Sequence, residues 1–208
     1  TGFNPAFYNA DSVSAQQEKI NQNPHFVYLA YFAPGVIKVG ISQEERGIRR
    51  LLEQGARLAL KLETFSSALI ARQYEAKISA LDGIVETMPI HKKLELIKQP
   101  FERVSGKEKL RQKLLEIEQK IGVSFPKSEL IPCEDYFHTN DVNLTRAIIM
   151  KDQNQLVGRV RSVIGSIVIT DHKDQLLAYN LKKFIGYRAR KITGPVELEL
   201  PSEQLTLF

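Results

Sequence analysis

Tyr28, Lys38, Arg50 and Glu75 bring a phenol, an amine, a guanidinium and a carboxylate into one short stretch of the chain. Such side chains can move a proton and offset charge on a phosphate ester. A phosphate under attack gains negative charge, which a fixed guanidinium and a bound cation offset. Taken singly, each residue has an ordinary reading. Tyr28 in an apolar strand suits a core aromatic, Glu75 beside Tyr74 suits a surface helix carboxylate, and Arg50 would pair with Glu45 or Glu53 along a helix. Their joint order and spacing carry the functional reading.

The elements that must position them are legible. An apolar strand, Phe26-Val-Tyr-Leu-Ala-Tyr-Phe32, turns through Ala33-Pro34-Gly35 into a second strand over 36–41. Pairing across that turn sets Tyr28 opposite Gly40 and Ala30 opposite Lys38, so Tyr28, Lys38 and Gly40 share one face. A glycine facing the tyrosine is expected to leave room for a backbone or a phosphate. Ser42 and Glu45 read as a capping box that starts a helix at about residue 43. Ile48, Leu51, Leu52 and Gly55 are expected on its buried stripe, Arg46, Arg50 and Glu53 pointing away, and Arg49 on the flank. A third strand is predicted over 58–65. A helix over 67–81 should bury Ala71, Tyr74, Ile78 and Leu81, with Glu75 on its flank, reaching the sheet edge and still meeting solvent.

Residues 86–128 read as helical, with Leu110, Leu114, Ile117 and Ile121 at helical spacing and Gly122 and Pro126 as terminators; a connecting helix with a solvated face accounts for its charge. Strands are expected at 145–150, 156–164, 166–170, 176–179 and 187–192, closely spaced as in a small β-barrel or curled antiparallel sheet. The fold class is α+β. The divisions are an extension over 1–23 with a short helix near 14–20, a first module over 24–85 (a three-stranded antiparallel sheet with flanking helices), a helical connector over 86–128, a β-rich module over 129–199 and a tail over 200–208.

Composition limits the classes. The chain has 208 residues, 29 Lys and Arg against 24 Asp and Glu, and a pI near 9.2, which permits a polyanionic partner without requiring one. Cys133 is the single cysteine, so an intrachain disulfide and a cysteine metal cluster are excluded. No apolar run approaches the roughly 18 residues of a membrane span, and no signal-peptide pattern opens the chain. A cytoplasmic protein associated with the nucleoid is expected, with no membrane partner. Thr1 at the start is read as a truncation or the remnant of a tag.

Residues 26–82 resemble the GIY-YIG nuclease superfamily. Val27-Tyr28-Leu29 stands where the family has its first tripeptide, and Lys38-Val39-Gly40 where it has its second. The resemblance implies a metal-dependent endonuclease in which Tyr28 assists deprotonation of the attacking water. Arg50, in Arg50-Leu-Leu-Glu-Gln-Gly-Ala56, neutralises the scissile phosphate, and Glu75 holds a single Mg²⁺ or Mn²⁺ ion. Two departures stand out: Phe26 or Val27 replaces the first glycine, and Lys38 replaces the second tyrosine. A lysine there contacts phosphate, acts as a base if neighbouring cations depress its pKa, or marks a module that binds without cutting. The phrases Pro24-His25-Phe-Val-Tyr-Leu-Ala30, Ile37-Lys-Val-Gly-Ile-Ser42, Leu156-Val-Gly-Arg-Val-Arg-Ser-Val-Ile-Gly165 and Tyr179-Asn-Leu-Lys-Lys-Phe-Ile-Gly-Tyr187 look like an uncharacterised prokaryotic family related to it. Members of that family often carry a cysteine-rich, zinc-binding segment upstream; none stands in this sequence, and that element is expected to be missing or cut away.

In the β-rich part, Arg159 and Arg161 on one strand, Arg188 and Arg190 on another, and Lys182 and Lys183 nearby are candidate phosphate contacts, joined by Arg46 and Arg49 of the first module. Tyr179, Phe184 and Tyr187 are candidate stacking platforms. The terminal Gln204, Leu205, Thr206, Leu207 and Phe208 resemble the peptide by which bacterial proteins bind the β sliding clamp, implying recruitment to DNA under replication or repair. The expected partners are DNA and the clamp. The alternatives are a non-catalytic DNA-binding adaptor at the clamp and an RNA-binding or RNA-processing protein.

Overall fold

A computed structural model describes residues 14–151, 154–194 and 198. The chain is a mixed α+β protein with two mixed sheets. In order, the elements are α1 (Ala15–Gln22), β1 (His25–Ala33), β2 (Val36–Gln43), α2 (Gly47–Gln54), β3 (Leu58–Phe65), α3 (Ala68–Ser79), β4 (Ile84–Val85), α4 (Ile90–Leu96), α5 (Arg103–Ile121), β5 (Glu129–Ile131), β6 (Ile148–Ile149), β7 (Arg159–Ile164), β8 (Ile167–His172) and β9 (Gln175–Asn180). Among the described residues no helix is long and apolar enough to cross a membrane.

The first sheet has the order β4-β2-β1-β3-β5. Its central β2-β1-β3 part is antiparallel with the expected register, Tyr28 against Gly40 and Ala30 against Lys38. The sheet is larger than the three strands expected, because β4 adds to β2 in parallel and β5 adds to β3. Pro34 and Gly35, the latter at φ 73°, form the β1–β2 turn, with glycine where a positive φ is required. β1 is buried along its whole length because both faces are covered, which explains a continuous apolar run. Val27, Leu29 and Tyr31 pack with Ala71 and Ile78 of α3 and with Leu110 and Ile117 of α5. Phe26, Tyr28, Ala30 and Phe32 face the other way and join Leu51 of α2, Leu94 and Leu96 of α4 and Ile164, Ile167 and Ile169 of the second sheet.

The expected capping box does not form. Ser42 is buried within β2, its Oγ turned to the Gln43 carbonyl at 3.4 Å, because strand pairing extends to His25–Gln43. A 3-10 turn, Glu44–Arg46, intervenes, and α2 starts only at Gly47 without a side-chain cap. β3 lies where it was expected, and α3 begins after Ser67, whose hydroxyl accepts from the Ile70 amide. α5 is capped by the Glu102 carboxylate at one end and by Gly122, at φ 68°, at the other.

The second sheet has the order β6-β9-β8-β7, antiparallel among β7, β8 and β9 and parallel between β6 and β9. The strand expected over 145–150 shrinks to Ile148–Ile149, since residues 144–146 form a 3-10 turn. The segment 187–192 is not a strand; it is exposed and without a pairing partner in either sheet. Gly165, in the β7–β8 turn, meets the C-terminal end of α2: a Cβ on it would lie 2.9 Å from both the Glu53 carbonyl oxygen and the Gly55 nitrogen. Only glycine lets these two backbones approach so closely.

Candidate catalytic cluster and basic surface

Tyr28 is fully buried, and its Oη makes no close, well-aligned hydrogen bond, the Arg50 guanidinium being the donor that bears on it. A Cβ at residue 40 would lie 2.5 Å from that oxygen. The space expected to admit a phosphate is therefore filled by the phenol itself, and Gly40 serves to seat it. Burial raises the phenol pKa above its ordinary value; the Arg50 guanidinium works against that rise and Glu75 adds to it. Lys38 stands on the same face, its Nζ 5.8 Å from the Tyr28 ring centroid and donating to the Val39 carbonyl at 2.9 Å. Its pKa falls to about 8, chiefly through burial, with Arg50 and Arg72 pushing it down and Glu75 and Glu86 opposing.

Arg50 does not point away from the core as its helical position suggested. Its Nε is buried and unpartnered, while Nη1 lies 3.8 Å from Glu53. The reason is the phase of α2, whose inward stripe runs through Leu51 and Gln54 with Arg50 beside it. Arg46 stays at the rim, its Nη2 2.5 Å from Glu53, and Arg49 is exposed. Of the three arginines, α2 turns Arg50 toward Tyr28.

Glu75 is 4% exposed and does not meet solvent as expected. It lies on the buried side of α3 with Ala71 and Ile78, while Tyr74 is only half-buried. Its carboxylate pairs with Arg72 one turn back, and Arg72 also stands 3.7 Å from Glu86, which accepts from Ser79 Oγ at 2.8 Å. Arg72 and Glu86 escaped the sequence reading. The i, i+3 spacing of Arg72 and Glu75 was the signal that pointed to the pair. Lys93 of α4 escaped it as well. Its Nζ donates to the Gln54 carbonyl and sits 5.3 Å from the Phe32 ring centroid. Burial lowers its pKa to about 8, helped by Lys182, Lys38 and Arg50. Cations thus outnumber carboxylates around Tyr28.

No group of three His, Cys, Asp or Glu side chains lies together among the described residues. Glu75, buried and paired with Arg72, is the carboxylate that stands at the cluster itself.

The remaining candidates are spread over the second sheet and the chain beyond β9. Arg159 and Arg161 are both exposed on β7, where a bulge between Val160 and Ser162 interrupts the alternation; Arg161 lies 3.4 Å from Asp171. Lys182 and Lys183 lie in a 3-10 turn, Leu181–Phe184. Arg188 and Arg190 are exposed, but without a strand they share no sheet face. Tyr179 is no stacking platform: it is 1% exposed and its Oη accepts from the Val157 amide at 3.3 Å. Phe184 is half-buried and Tyr187 is 78% exposed. Residues 204–208 lie outside the described residues.

No curated protein and no solved structure matches this chain. A family profile described as "Protein of unknown function (DUF2797)" spans residues 9–189 of the 208, and the chain belongs to that family.

Proposed function

We propose that this chain is a DNA endonuclease of GIY-YIG type that uses one divalent ion, grips DNA through its β-rich part, and is recruited to the sliding clamp by residues 204–208. On this reading the β2-β1-β3 sheet with α2 and α3 is a GIY-YIG-like module, and the second sheet is the curled sheet of the binding part. The observation that carries the reading is the convergence of Tyr28 and Arg50, two buried polar groups that bear on each other without a well-formed hydrogen bond to the rest of the protein. Buried polar atoms are rarely left unpaired, and a water, an ion or a ligand ordinarily completes them.

The roles follow from the environments. Tyr28, its pKa raised, keeps its proton and serves as a hydrogen-bond donor rather than as the base. Lys38, with a pKa of about 8, is partly neutral at mildly alkaline pH and takes the proton of the attacking water. The new P–O bond forms as the bond to the leaving sugar oxygen breaks, while Arg50 neutralises the phosphate. A hydrated divalent ion held by Glu75 would offset the charge on the leaving oxygen. The test is a cleavage panel of flapped, nicked, single-stranded and duplex DNA with Mg²⁺ or Mn²⁺. Glu75→Ala should lower cleavage at least about a hundredfold while leaving binding nearly intact.

A second reading, a non-catalytic DNA-binding adaptor, draws on a different observation: Tyr28 is 0% and Lys38 8% exposed, and Glu75 already has a counter-ion in Arg72. DNA bound without metal, its ends unaltered, would favour it.

A further inference from the structure

Behind the β8–β9 hairpin the chain after β9 folds back to wall an open groove of about 1470 Å³. It is an open groove and not an enclosed cavity, so a chain can lie along it. Lys173, Lys183, Arg188, Arg190 and Lys191 line it beside Phe184 and Tyr187, and no aspartate or glutamate lines it among the described residues. A groove of one charge sign selects a polyanion. Gly186, at φ 87°, turns the backbone so that Tyr187 follows with 78% of its surface exposed, while the lining lysines and arginines are exposed too. An exposed aromatic among exposed cations matches a strand whose bases are free to stack, and not a duplex, whose bases are already stacked on each other. Arg159 and Arg161 do not line the groove, so the grip lies elsewhere than the β7 face. The 3-10 turn that carries Phe184 also carries Lys182, whose charge reaches Lys93, as does that of Arg50.

We propose that this groove is a binding site for single-stranded nucleic acid, with its phosphates on Lys173, Arg188, Arg190 and Lys191 and a base stacked on Tyr187. The inference rests on the nucleic-acid reading above but not on cleavage, so binding is measured in EDTA. The probes are oligo-dT and oligo-U of about 20 nucleotides and a duplex of the same length, followed by fluorescence anisotropy on the full chain. Four phosphate contacts give a log–log salt slope of about −3 for the single strands. Arg188→Glu/Arg190→Glu should weaken single-strand binding about tenfold or more and flatten that slope by about 1.4. Tyr187→Ala should weaken single-strand binding about tenfold and leave duplex binding unchanged. These residues are exposed, and an unaltered circular-dichroism spectrum checks that the variants fold. Whether oligo-dT or oligo-U binds more tightly distinguishes DNA from RNA as the source of the strand, and either satisfies the groove. Single strands bound equally by the charge-reversal variant would overturn the groove and leave the nucleic-acid reading standing. Duplex preferred over both single strands would overturn the single-strand assignment. Binding to none of the three probes would overturn both readings together.

Discussion

Tyr28 and Gly40 stand opposite each other across β1 and β2, so close that a methyl group on residue 40 would lie 2.5 Å from the Tyr28 hydroxyl and 2.6 Å from the ring carbon that bears it. Both residues sit in the buried middle of the sheet, where neither strand has space to give. Gly40→Ala should therefore overpack the site and cost about 1–3 kcal/mol. Urea denaturation followed by circular dichroism measures it.

The Tyr28 hydroxyl is buried without a well-formed hydrogen bond, which is a cost to the folded state and not a contribution. Tyr28→Phe is accordingly expected to stabilise the protein, by about 1 kcal/mol, by removing an unsatisfied group. The same variant should lose activity on DNA. A gain in stability with a loss of activity is the signature of a residue retained for function.

Lys38 titrates at about 8 in the folded protein against an ordinary value of 10.5. Between those values the unfolded chain holds more protons, so the Lys38 contribution to stability becomes more favourable as pH rises through that window. Below pH 8 its burial is a full cost, on the order of 3 kcal/mol. Lys38→Met should stabilise the protein at pH 7 by about 1–3 kcal/mol and flatten stability against pH between 8 and 10. Chemical denaturation at several pH values checks both outcomes. In cleavage assays the wild-type rate should climb toward pH 8, and the variant should lose that limb.

Arg72 and Glu75 form a pair in which the carboxylate side is almost wholly buried. Removing one partner strands the other's charge. Arg72→Met is expected to destabilise the protein by about 3 kcal/mol, and Arg72→Met/Glu75→Gln to recover much of the loss. A double-mutant cycle in urea reports the coupling.

Much of this arrangement was legible in the residues. The Pro34-Gly35 turn fixed the β1–β2 register, and through it the facing of Tyr28 and Gly40. β3 was marked by its own alternation and α3 by Ser67 at its start. Other features depended on what lay across the chain. Ser42 and Glu45 make a sound local cap, but pairing of β2 with His25 outcompeted it. Glu75 looked exposed because the neighbouring Tyr74 suggested a different buried stripe, and β2, on which α3 packs, lies well before it in the chain. Arg50 was assigned outward for the same reason: periodicity locates a stripe without saying which flank meets another element. The segment 187–192 alternates like a strand yet finds no edge to pair with. Lys93 joined the cluster only through the packing of α4 over Phe32, which nothing local announces.

The most direct test of the account is divalent-dependent cleavage of branched and linear DNA by the full chain, run beside Glu75→Ala and Arg50→Ala. The expected result is metal-dependent cutting that each substitution lowers at least about a hundredfold, with binding in EDTA nearly unchanged for Glu75→Ala. DNA left intact by the wild-type chain across the whole panel, or cutting that survives both substitutions, would contradict it.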